Sequence, residues 1–196
     1  MTELRDHDDA FTYGDELLVG QRVRLRGTRD DDLPALAAWM MDPAVKATQA
    51  ATVLPRSEAA TREQVAGWVT NKDTIAGFSV EALGDEPELV GHAGLFGMGV
   101  KDRCATVGIV LGRQFLGKGY GTDAVRVIVS YGFREFGLHR VQLDVLAFNV
   151  RAIAAYRKAG FVEEGRRREA VLHDGRWYDD VLMSILEQEW RAVATE

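Results

Sequence analysis

Between a β-like run and a helical one lies VLGRQFLGKGYGTDAV, residues 110–125, which holds four glycines and a lysine. So many glycines interrupt both a strand and a helix interior, so the chain turns here, and positions without a Cβ let its backbone approach a ligand closely. A turn that opens a helix also aims free backbone N–H groups and the positive end of the helix dipole at whatever precedes it, which favours a phosphate. Two familiar phosphate patterns fail. Gly112, Gly117 and Lys118 approach G-x-x-x-x-G-K-[ST], but Gly119 stands where that loop needs a hydroxyl for Mg²⁺. Read as G-x-G-x-x-G/A from Gly117, the sixth position is Thr122, and Gly121 comes one residue early.

At 196 residues and 46% hydrophobic composition, the chain can bury the core of one domain. Its net charge of -6 gives no electrostatic footprint for nucleic acid. RVRLRGTR (22–29) alternates arginine with apolar residues and reads as a strand with a solvated face, and Arg166, Arg167 and Arg168 read in the same way. The single Cys104 forms no internal disulfide and has no Cys/His partners at metal spacing; it reads as a small buried residue, and no metal is expected. The first twenty residues carry six acids and one arginine, and no later apolar run approaches the roughly 18 residues of a membrane span. A soluble, cytoplasmic protein without membrane contact is the expectation.

Residues 1–20 read as a loosely ordered acidic lead-in, 21–190 as one domain and 191–196 as a tail. RVRLRG suggests a strand, DDDLPALAAWMMDPAV a helix, and Ser57 an N-cap for SEAATREQVAGWVTNKD, a second helix with Val65, Trp68 and Val69 on one side. IAGFSVEAL, ELVGHAGLFGMGV and CATVGIVLG, joined by short GDEP and KDR turns, suggest an antiparallel meander. Val125, Ile128, Val129, Gly132 and Phe136 then fall at helical spacing, RVQLDVLAF resumes a strand, Asn149 opens a short helix, and FVEEGRRREAVL and RWYDDVLMSIL flank an HDG turn. The order is β α α β β β α β α β β.

Gln114-Phe115-Leu116-Gly117-Lys118-Gly119 matches [QR]-x-x-G-x-[GA], and NVRAIAAYRKAGF, from Asn149 to Phe161, matches N-x-x-A-x-x-x-Y-x-K-x-G-F. With both motifs in this order, the chain over about residues 20–190 resembles the GNAT superfamily of acyl-CoA-dependent N-acetyltransferases, in its RimJ/RimL-like branch, to which spermidine acetyltransferases are related. The resemblance implies an α/β (α+β) fold with a mixed, mostly antiparallel central sheet flanked by helices. It implies acetyl-CoA as acyl donor, its pyrophosphate on the backbone of Leu116, Gly117, Lys118, Gly119, Tyr120, Gly121 and Thr122. Its pantetheine arm would lie along Ile109, Val110 and Leu111, where the strand before the loop splays from the strand after the helix. Asn149, Arg151 and Lys158 would also touch the cofactor, and Tyr156 would be the general acid that serves the departing sulfur.

Acetyl transfer to an amine also needs a route for the amine proton. Glu81, His92 and Asp144 are candidates, as is a water relay. The acceptor would be a primary amine: a protein N-terminus, or a polyamine, which the acidic balance suits. An edge strand or exposed helix could support a homodimer, as in many relatives. Two further readings remain at this point: a non-catalytic acyl-CoA-binding module, against which Tyr156 argues, and a P-loop-like nucleotide hydrolase with VQLD (141–144) as its acidic strand, against which Gly119 argues.

Overall fold

The computed structural model describes residues 4–49, 53, 56–72 and 74–194; residues 1–3 of the acidic lead-in and 195–196 of the tail lie outside them. Seven strands form one sheet in the order β1-β2-β3-β4-β5-β7-β6. β1 (Val23–Arg26), β2 (Ile75–Ala82), β3 (Glu88–Phe96) and β4 (Cys104–Leu111) run antiparallel as expected of a meander. The glycine loop and α5 (Tyr120–Glu135) then cross over to β5 (Arg140–Leu146), which lies parallel to β4. α6 (Val150–Lys158) leads to the hairpin of β6 (Val162–His173) and β7 (Arg176–Leu186), and β7 pairs with β5. Asp174 and Gly175 both have positive φ (48° and 68°), as the two-residue turn of a tight hairpin requires.

The expected order holds, with additions. α1 (His7–Glu16) occupies the stretch read as loosely ordered. Asp6 caps it by accepting from the Asp9 amide, and Tyr13 hydrogen-bonds Glu135 while Arg134 lies 4.5 Å from the Tyr13 ring centre. None of its residues is buried, so its sequence has no apolar period to betray it. The first predicted helix splits into α2 (Leu33–Met41) and a short α3 (Pro43–Lys46), because Asp42 leaves the helical conformation and caps the Ala44 amide. α4 (Glu58–Val69) starts at Ser57, whose hydroxyl accepts from the Ala60 amide, and α7 (Glu187–Ala194) closes the chain.

α5 packs one face of the sheet through Ala124, Val125, Ile128 and Phe133, meeting Val23, Leu95 and Val107 in the main core. Its approach to β3 is close: a Cβ on Gly132 would lie 2.8 Å from Leu95 Cδ1. α2 and α4 pack together around Leu36, Ala37 and Val65, with α4 against β2. The arginine alternation of β1 is not a solvated face. Arg26 is clamped by Asp32 (2.7 and 2.9 Å) and Glu81 (2.8 Å), and Glu81 also holds Arg24. Asp32 and Glu81 are buried on this β1–β2 surface, and the guanidinium groups neutralise them.

Candidate active site

β4 and β5 pair over three residues only, Cys104, Ala105 and Thr106 with Arg140, Val141 and Gln142. Beyond that point they diverge, leaving the backbone of Gly108–Leu111 without a partner on the β5 side. A cavity of about 860 Å³ fills the opening. Ile109, Val110 and Leu111 line it from β4, and Leu116, Gly117, Gly119, Gly121 and Thr122 from the glycine loop. Asn149, Arg151, Tyr156 and Lys158 line it from α6.

A single turn of 3-10 helix over Arg113–Phe115 ends β4, with Phe115 buried edge-on against Trp39 at 5.8 Å. Gly117 and Gly119 then take positive φ (79° and 87°), and Gly119 is the N-cap of the 16-residue α5. The first intrahelical bond runs from the Asp123 amide to the Gly119 carbonyl (3.2 Å), so the amides of Tyr120, Gly121 and Thr122 have no partner among the described residues. A helix opened this way, without a side-chain cap, is a cradle for an anion. Lys118 and Tyr120 do not line the cavity. The Lys118 ammonium sits 5.5 Å from the Phe115 ring centre, and Tyr120 packs on the core.

A second recess of about 200 Å³ adjoins at Gly119 and Thr122 and carries Arg22, Arg126 and Lys158. Arg126 donates to the Lys158 carbonyl (2.6 Å), which ties α5 to α6. Sequence reasoning missed Arg22 and Arg126, which no motif marks. It also missed Asp123, whose buried carboxylate accepts from the Arg22 and Val23 amides (2.7 and 3.0 Å) and fixes β1 to the start of α5. The only signal was an acid in a helix's first turn.

Asn149 caps α6 by accepting from the Ala152 amide (3.2 Å), and its Nδ2 donates to the Thr48 carbonyl (3.2 Å), so it ties α6 to the end of α3 across the cavity. Tyr156 leans on Phe161 (5.8 Å), and its hydroxyl has no hydrogen-bond partner among the described residues. The ring keeps part of its surface open to the cavity, while the protein packed around it pushes the phenol up to about 12. It therefore stays protonated throughout the physiological range.

The opposite wall holds Trp68, His92 and Phe96. His92 is buried, and burial pushes it down to about 4, so it is neutral. Asp144 lines the cavity from β5 and is bonded to Arg167, which also reaches Asp180 (3.1 Å). Burial, with Asp144 nearby, raises the Asp180 carboxyl. Glu81 is not at the cavity. It belongs to the Arg24–Arg26 cluster, and although burial opposes ionisation, the two arginines hold it below the usual carboxylate range.

Residues 22–162 match the family described as acetyltransferase (GNAT) domain, a span that contains the glycine cradle, the splayed strands and Tyr156. This chain belongs to the GNAT family. The uncharacterized N-acetyltransferase YnaD of Bacillus subtilis is 31% identical over 108 residues, which are 55% of this chain and 63% of that protein. The [ribosomal protein uS5]-alanine N-acetyltransferase of Escherichia coli is 29% identical over 108 residues, 54% of this chain and 55% of that enzyme. The matches thus span less than two thirds of these relatives' lengths. The fold is that of the spermidine N-acetyltransferase of Vibrio cholerae, solved with CoA and spermine, at a TM-score of 0.77, 24% identity, 86% of this chain and 98% of that one. Among the described residues no group of His, Cys, Asp and Glu could hold a metal ion, and no helix is long and apolar enough to cross a membrane.

Proposed function

We propose that this GNAT chain transfers acetyl from acetyl-CoA directly to a primary amine, without a covalent acyl-enzyme. The observation that carries the proposal is the three-residue β4–β5 pairing, which opens a gap edged by unpaired backbone and ends it at a glycine cradle with free amides. A pantetheine arm carries two amides that such an edge can pair, and a pyrophosphate suits the amides of Tyr120, Gly121 and Thr122. Arg22, Arg126 and Lys158 in the adjoining recess suit the remaining phosphate of the donor.

Tyr156 serves the departing sulfur. With a phenol near 12 and a thiol near 8.5, complete proton transfer is about 5 kcal/mol uphill, so hydrogen-bond donation as the C–S bond breaks is its main contribution. The acceptor end is apolar and aromatic, with Val45, Trp68 and Phe96 lining it, and among the described residues the one carboxylate lining the cavity, Asp144, is already paired with Arg167. That supports an acceptor bearing a single ammonium, such as a protein N-terminus, over a polyamine, whose several charges need several free carboxylates. The relatives cover both classes by name, ribosomal protein and spermidine.

Titration calorimetry with acetyl-CoA, CoA and Mg-ATP, followed by thiol release across N-terminal peptides, polyamines and aminoglycosides, tests the proposal. Binding of acetyl-CoA but not Mg-ATP, with turnover on peptides, is expected. Binding without turnover on any amine would leave a binding module, and Mg²⁺-dependent ATP binding would bring back the nucleotide hydrolase.

A further inference from the structure

We propose that His92 is the catalytic residue on the acceptor side, taking the proton that the amine sheds, and that Ser79 positions its ring. This rests on the acetyl-transfer reading above. Of the three candidates that the sequence offers for such a proton, Glu81, His92 and Asp144, only one is uncommitted among the described residues. Glu81 is held by Arg24 and Arg26, and Asp144 by Arg167. His92 lines the cavity with 6% of its surface exposed; the acceptor's proton arrives at its Nδ1, because Nε2 is sealed from solvent, without a hydrogen-bond partner. A histidine kept for packing would be expected to satisfy that nitrogen.

The strands around His92 are pared to backbone. A Cβ on Gly77 would lie 3.0 Å from His92 Nε2 and 2.2 Å from the Trp68 carbonyl oxygen. Gly94 and Gly108 face each other across β3 and β4, and Cβ atoms there would meet the Phe96 ring at 2.6 and 3.1 Å. Gly77 thus makes room for the imidazole, and Gly94 and Gly108 make room for the aromatic wall beside it. The groups that face His92 are Ser79 on β2, Val110 on β4 and Trp68 on α4, with ring centres 6.5 Å apart in the last pair. None of these is charged, so among the described residues nothing holds the ring as imidazolium, and neutral imidazole keeps one nitrogen as acceptor. Ser79 stands directly opposite in the β2–β3 register, fully buried, and its hydroxyl donates to Asp32 (2.8 Å). With that proton directed at Asp32, its oxygen accepts from the Thr28 hydroxyl (3.1 Å), which leaves one lone pair to receive an imidazole N–H once the ring is protonated.

The proton balance closes. As the amine nitrogen bonds to the thioester carbon, its proton becomes acidic and passes to His92. As the C–S bond breaks, Tyr156 hydrogen-bonds the sulfur, which leaves as thiol with a proton returned through solvent. A neutral amine and thioester thus give amide and thiol with no net proton, and an acceptor that enters as ammonium releases one to solvent.

His92→Gln and Ser79→Ala test this with peptides beginning in alanine, serine or methionine, spermidine, and a series of simple primary amines of falling pKa. His92→Gln is expected to lower kcat about 100-fold or more while the calorimetric Kd for acetyl-CoA stays within about twofold, and Ser79→Ala to lower kcat roughly 5- to 10-fold. The loss in His92→Gln should shrink as acceptor pKa falls, because a weaker amine sheds its proton without help; a structural defect would lower the whole series alike. A uniform loss, or none, overturns the assignment and leaves acetyl transfer standing, as does a silent His92→Gln beside an inactive Asp144→Asn. A wild type that binds acetyl-CoA and acetylates nothing overturns both.

Discussion

The β1–β2 edge and the β4–β5 opening are both polar, and they are finished in opposite ways. At the edge, Arg26, Asp32 and Glu81 satisfy one another, with the Arg29 amide and the Ser79 hydroxyl each adding a bond to Asp32. At the opening, the loop amides, the Tyr156 hydroxyl and His92 Nε2 have no partner among the described residues. Buried polar groups are normally paired, so a cluster of unpaired ones beside a cavity marks where a ligand completes the structure, whereas a closed network marks scaffold. Formal charge misleads on this point: the more heavily charged region is the scaffold.

The largest effect that would break this division comes from Tyr156→Phe. Removing one hydroxyl is expected to lower kcat about 100- to 10,000-fold, with acetyl-CoA affinity within a few-fold in calorimetry. An unchanged kcat would mean that the unpaired hydroxyl is incidental. Next comes the scaffold. Glu81→Gln leaves Arg24 and part of Arg26 without their anion and should cost about 3 kcal/mol in urea unfolding, while kcat stays within about twofold, because Asp32 retains Arg26, Arg29 and Ser79. A collapse of kcat with normal stability would return Glu81 to the active site.

The two clusters also separate in acid. His92 falls from an ordinary 6.5 to about 4 in the fold, so the unfolded chain binds the extra proton between those values. Stability from this group is complete above pH 6.5 and is lost as pH falls toward 4, about 3 kcal/mol in all. Asp32 is raised by burial but brought lower still by Arg26, the Arg29 amide and Ser79, to about 2. Its contribution is complete above about pH 4 and is lost only on going toward pH 2, about 2 kcal/mol. Urea unfolding from pH 7 to 4.5 should therefore slope downward in the wild type and flatten in His92→Gln. A slope that survives the substitution would place the acid sensitivity elsewhere.

The fold was legible because its signals are local. Alternation marked the meander, helical spacing marked α5, and Ser57 and Asn149 marked helix starts by a hydrogen bond made within three residues. The cradle and Tyr156 were legible as motifs. Long-range pairing was not. Whether Arg26 points into solvent or into Asp32 and Glu81 depends on β2 lying beside β1, and Arg22 and Arg126 meet only once α5 is docked. α1 escaped for another reason: it buries nothing, so it leaves no apolar trace. Lys118 carries a cation inside a phosphate-loop pattern, and only the fold shows that its ammonium lies over Phe115.

The smallest effect separates conformation from position. Gly119 and Gly137 both have positive φ, 87° and 57°, and an alanine at either is strained by about 1 kcal/mol. At Gly137, just beyond the end of α5 and away from the cavity, a Cβ meets nothing within 4 Å, so alanine should lower stability and leave acetyl-CoA affinity alone. At Gly119 a Cβ would come within 3.2 Å of the Arg22 side chain, which belongs to the basic recess, and would distort the turn that presents the amides of α5. Gly119→Ala is therefore expected to raise the Kd for acetyl-CoA about tenfold, or about 1.4 kcal/mol, on top of a stability loss like that of Gly137→Ala. If both variants lose stability and neither loses affinity, the positive φ at 119 serves only to start the helix, and the cradle must lie elsewhere in the opening. If Gly119→Ala alone loses affinity, the same backbone strain has been measured once in scaffold and once in the site, and the difference between the two is the worth of the amides it aims.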